Sequence, residues 1–128
     1  MSSRGSLIEN GHITTDEYET IKVIEEAKVL RGKNGNHGLP DYSHTAERIY
    51  IKENKDSSFR ELRVYGKNHK PIYEIGYHGE INLTGNRHEK VLHFHLFTDD
   101  LRHLEATAIN KGSDYYKKVK KILARYGL

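Results

Sequence analysis

Four short runs between residues 48 and 97 place an apolar side chain at every second position: RIYIK (48–52), FRELRVY (59–65), IYEIGY (72–77) and VLHFHLF (91–97). A period of two is the pattern of a strand with one buried face, and a helix cannot satisfy it. Turn residues at 54–57 and 66–70 join the first three runs closely, which predicts an antiparallel meander. A polar, glycine-containing loop over 79–90 leads to the fourth strand.

The flanks read as helical. Thr14 and Glu17 have capping-box spacing, and Tyr18, Ile21, Ile24 and Ala27 recur at helical intervals, predicting a helix over about 15–29. Residues 31–45 hold three Gly, two Asn and Pro40 and are expected as a long loop. Leu101, Leu104 and Ala108 fit a short helix within 98–110. Ser113 caps a final helix carrying Tyr115, Val119, Ile122 and Tyr126 on one face, with Gly127 at its end. The expectation is an α+β fold: an N-terminal helix, a four-stranded antiparallel meander and a C-terminal helix, the helices packed on one sheet face. The 128 residues suit a single domain, residues 1–13 being a flexible N-terminus.

The chain has no Cys, which excludes disulfides, thiolate-held metals and a thiol nucleophile. No apolar run is long enough for a membrane span, and the N-terminus lacks the apolar stretch of a signal peptide, so a cytoplasmic setting with no membrane partner is expected. Net charge is only +3, yet residues 111–126 carry six Lys or Arg against Asp114, and residues 9–26 carry six carboxylates against Lys22. The basic end suits phosphate contact or a solvated helix face.

Alternation also sorts the sheet faces. Ile49, Ile51, Leu62, Val64, Tyr73, Ile75, Tyr77, Leu92, Phe94 and Leu96 are expected inward. The other face collects Arg48, Tyr50, Lys52, Glu61, Arg63, Tyr65, Glu74, His78, His93 and His95. Three His beside Arg and Tyr make a more specific surface than solvation demands. His93 and His95 point the same way, with Cα atoms ~6.5–7 Å apart by strand rise. That spacing suits metal chelation, with His78, Glu74 or His88 as third ligand, or shared contact with one phosphate. Metal-free RNA cleavage needs only a base, an acid and a cation, because the 2′-hydroxyl is the nucleophile. His78, His93 and His95 suit the proton transfers, and Arg63 or Arg48 the phosphate. Tyr50 and Tyr65 suit base stacking, and Glu74, Arg87, His88 and His37 complete the expected substrate-binding set.

The stretch FRELRVYGKNHKPIYEIGYHGEIN, followed by HEKVLHFHLF, resembles the C-terminal toxin domains of bacterial polymorphic toxin systems and related phage-borne domains. The resemblance implies an RNase of the barnase, EndoU, colicin and RelE-like group, with catalytic His78, His93, His95 and Arg63 on an open sheet face. It implies RNA as substrate and an immunity or phage protein as partner. The leading expectation is therefore a ribonuclease with no cofactor. The alternatives are a hydrolase with zinc on His93, His95 and His78, and a non-enzymatic mobile-element protein that binds a protein partner.

Overall fold

The structure, a computed structural model, describes residues 7–9, 12–14, 18–33 and 38–128. Strands β1 (Leu7–Glu9) and β2 (His12–Thr14) form a two-stranded antiparallel ribbon. The main sheet has seven strands in sequence order: β3 (Tyr18–Ile24), β4 (Ala27–Gly32), β5 (Ile49–Glu53), β6 (Phe59–Tyr65), β7 (Pro71–Gly79), β8 (Lys90–Leu96) and β9 (Thr107–Ala108). Every neighbouring pair is antiparallel except β4–β5, which is parallel. Two helices are described, the single-turn α1 (Ile81–Thr84) and α2 (Asp114–Ala124).

The expected architecture is therefore corrected. The predicted meander is only the middle of a mixed seven-stranded sheet, and no helix occupies 18–29. Thr15, Asp16 and Glu17, the predicted helix start, lie outside the described residues. The error has a local cause. The β3–β4 register slips between Thr20 and Lys22, leaving Ile21 as a bulge. One extra residue reverses the strand's face parity. Tyr18 then joins the outer cluster with Leu30, while Ile24 packs against the inner core. Apolar residues at 18, 21 and 24 thereby imitate a helical period. The turn also hides itself: Glu25 and Glu26, at φ 47° and 70°, make the two-residue connection without the usual Asn or Gly. Residues 98–110 likewise contain no helix. They form an irregular arm with a Phe97–His103 bridge and β9.

The inner face carries the main core. Val29, Ile51, Leu62, Val64, Tyr73 and Ile75 meet Val119, Ile122 and Leu123 of α2. Each such side chain contributes roughly 1.5–3 kcal/mol on burial. Ser113 Oγ accepts from the Tyr116 amide, capping α2. At its other end Leu128 N–H donates to Leu123 O, Gly127 N–H donates to Ala124 O, and Gly127 sits at φ 79°. This is a Schellman closure, which needs a left-handed residue where Gly is cheapest.

The outer face is covered as well. Parallel β4 and β5 need a long crossover, and its residues 38–47 lie over the outer face. Tyr65 Oη donates to Pro40 O, and Arg63 Nη1 donates to Leu39 O and Pro40 O at 3.2 and 3.1 Å. The Ser43 amide donates to His69 O, and His69 Nδ1 donates to Ser43 O at 2.8 Å. Tyr50 and Tyr65 are buried beneath it, and His93 and His95 on the same face are buried too. The open, wet face expected from the sequence is not found. Among the described residues, no helix is long and apolar enough to cross a membrane.

Candidate metal centre

Strand register fixes who faces whom on the outer face. One cross-strand row runs Lys52, Glu61, Gly76, His93, and the next runs Tyr50, Arg63, Glu74, His95. Phe94, between the two His, turns to the inner core. Alternation thus brings both imidazoles to one side.

Their hydrogen bonds define their chemistry. His93 Nδ1 lies 2.8 Å from Val91 O, and His95 Nδ1 lies 2.5 Å from Leu104 O. His78 Nδ1 lies 3.2 Å from Gly79 O. A carbonyl only accepts, so each Nδ1 carries a proton, and Nε2 is the nitrogen left to bind a ligand. Donation of the remote N–H to a carbonyl is how ligating His residues are usually oriented. His93 is fully buried, and its Nε2 has no hydrogen-bond partner. Burial, and then the neighbouring His78 and His95, hold its pKa below the ordinary imidazole value, against a raising contribution from Val91 O. It is therefore a neutral donor.

Glu80 completes the group. One ligand atom each from Glu80, His93 and His95 lie within 4.8 Å of one another. His78 stands beside them, its ring centroid 4.6 Å from that of His93 and edge-on. Gly76 makes room between these rings. A Cβ there would lie 2.8 Å from His78 Nε2 and 3.1 Å from His93 Nε2. Two nitrogens thus converge on a notch that any other residue would fill. Two imidazoles and one carboxylate are a recurrent zinc and non-haem metal set, leaving positions for water or substrate.

A second ionic group adjoins the first. Arg63 donates to Glu74, with side chains 11% and 8% exposed. Glu74, held by Arg63 and by a hydrogen bond from Glu61, keeps its pKa below the usual carboxylate value despite burial. Glu61 goes the other way. Burial, then the Glu74 charge, pushes it up to about 7. A protonated Glu61 donating to ionised Glu74 satisfies both.

The other residues expected in the site scatter. Arg48 immediately precedes β5, and Lys52 lies within it. Arg87 and His88 are exposed in the α1–β8 loop, and His37 lies outside the described residues. Gly79 is needed for space: a Cβ there would lie 1.6 Å from Arg87 O. Glu80 was not among the expected ligands, although its two-residue spacing from His78 signals a shared face. His103, whose ring lies 4.5 Å from that of His95, comes from the irregular arm and has no sequence signal.

No known protein family, curated protein or solved structure matches this chain.

Proposed function

We propose that His93, His95 and Glu80 bind a zinc-class divalent ion and that the protein is a metal-dependent hydrolase. The observation that carries this reading is the buried Nε2 of His93. Its partner nitrogen is fixed on a carbonyl, its own lone pair meets no donor, and a carboxylate and a second imidazole stand beside it. A buried polar atom without a partner costs about 1–3 kcal/mol, and a ligated ion would remove that cost. A three-ligand set leaves the ion a position for water, whose pKa such an ion lowers towards neutrality.

Within this reading the chain's own groups divide the work. Val91 O and Leu104 O hold the two imidazoles in the ligating tautomer. Glu80 supplies negative charge, and residues 102–104 shield His95 from solvent.

The metal-independent ribonuclease needs a cation ready to meet phosphate. Arg63 is already engaged by Glu74, Leu39 O and Pro40 O and packs over Phe97 at 5.0 Å. Tyr50 and Tyr65, assigned to base stacking, are buried under the crossover. These engagements weigh towards the metal reading. The test is metal analysis of protein purified without chelator, beside assays of phosphodiester and ester hydrolysis with and without EDTA. About one ion per chain, lost in His93→Ala, together with EDTA-sensitive turnover, is the expected result. Metal-free protein whose cleavage of RNA persists in EDTA would overturn it.

A further inference from the structure

A cleft of about 660 Å³ opens between the β3–β4 hairpin and the β5–β6 connection, away from the His cluster. Among the described residues its walls carry Lys22, Arg31, Lys52, Lys55 and Arg60 against the carboxylate of Glu53. Tyr18, Leu30 and Leu39 supply apolar surface at its base, and half-exposed Ile21 stands at its rim. An apolar floor under convergent groups of one charge is the make-up of a small-ligand site, and the volume falls in the usual range of roughly 300–1,000 Å³.

We propose that this cleft binds an organic phosphate of nucleotide size, its ring on the Tyr18–Leu39 floor and its phosphate among the lysines and arginines.

Three of these cations meet carboxylates. Lys22 meets Glu53 at 2.9 Å, Arg31 meets Glu19 at 3.4 Å and Arg60 meets Glu61 at 3.7 Å. The Arg31–Glu19 pair is exposed, so a phosphate displaces it at little cost, whereas Glu53 and Glu61 are nearly buried and hold Lys22 and Arg60 at the cleft wall. Hydrogen bonds between cations and phosphate are charge-assisted and stronger than neutral ones. The apolar base distinguishes the ligand from inorganic phosphate, which would leave Tyr18, Leu30 and Leu39 unused. The cleft also shares a face with the metal ligands. Lys52 lies three strand spacings from His93 along one row, ~14 Å by sheet geometry. The two sites are thus separate but not remote, and this proposal does not rest on the metal reading.

Calorimetric titration of the full chain with adenosine 5′-monophosphate, adenosine, inorganic phosphate and a ten-residue oligothymidylate tests it. Saturable binding of the monophosphate, at least about tenfold tighter than adenosine or phosphate, is expected. Lys55→Glu and Arg31→Glu, both on exposed rim residues, should each weaken it about tenfold or more. His93→Ala should leave it unchanged. Circular dichroism melts identify any variant that fails to fold, and Lys55→Gln then replaces it. Absence of monophosphate binding, binding indifferent to both reversals, or binding of the oligonucleotide alone would each overturn the proposal.

Discussion

Arg63 directs Nε and Nη2 at one oxygen of Glu74, at 3.0 and 2.8 Å, in a layer almost closed to water. The same guanidinium ties down the crossover through Leu39 O and Pro40 O. Removing one partner of a buried pair strands the other charge, typically at a cost of ~3–5 kcal/mol. Arg63→Ala should therefore lower the urea midpoint severely, whereas Arg63→Met with Glu74→Leu should recover much of the loss. Equal destabilisation in the single and double variants would show that the pairing is not what matters.

Glu61 makes stability fall with pH. Its folded pKa of about 7 exceeds the ordinary 4.5, so the native state holds a proton that the unfolded chain releases. The favourable contribution is complete below about pH 4.5 and is lost as pH rises through about 7. Glu61→Gln should raise the unfolding free energy at pH 8 by an amount of order 1–3 kcal/mol and do little at pH 4.5, as denaturant melts at the two pH values would show. A variant equally shifted at both pH values would contradict the assignment.

Added zinc should stabilise the folded chain by about 2.7 kcal/mol at a hundredfold excess over the dissociation constant. Thermal melts should show this for the unmodified protein and not for His93→Ala or Glu80→Ala. A response retained in both variants would place the ion elsewhere.

Gly76→Ala introduces a methyl group 2.8 Å from His78 Nε2 and 3.1 Å from His93 Nε2. The rings must turn away from the notch. Zinc affinity should drop about tenfold or more, while far-ultraviolet circular dichroism stays native. Undiminished affinity would mean that the ion does not use this notch.

Glu26 occupies a left-handed position at φ 70°. Such a conformation costs an L-residue on the order of 1–2 kcal/mol, and glycine avoids it. Glu26→Gly should raise the melting temperature by several degrees for a domain of this size. Glu25 is the worse choice, because it pairs with Arg125 at 2.9 Å.

What was readable in the sequence follows from how local each determinant is. His93 and His95 share a face because β8 alternates without interruption, and the inner-face residues from Ile49 to Leu96 obey the same rule. Tyr18 to Ala27 defeated the reading because a single bulged residue, Ile21, reversed the faces midway. The covering of Tyr65 depends on a contact to Pro40, twenty-five positions away, which no local period encodes. Glu80 was within reach by alternation from His78, whereas His103 arrives on an arm with no periodic pattern.

The parallel seam between β4 and β5 carries a consequence for assembly. Hairpins β5–β6 and β6–β7 close from neighbouring residues, but β4 can dock on β5 only after the chain from Gly32 to Ile49 has swung across the sheet. Non-local parallel pairing is slow, since its loop entropy is lost before its contacts form. Until it forms, the aromatic pair Tyr50 and Tyr65, whose rings lie 5.1 Å apart, faces water beside an unpaired β5 edge. The crossover thus closes two hazards at once, covering the tyrosine pair and leaving β5 no free edge for another chain to pair with.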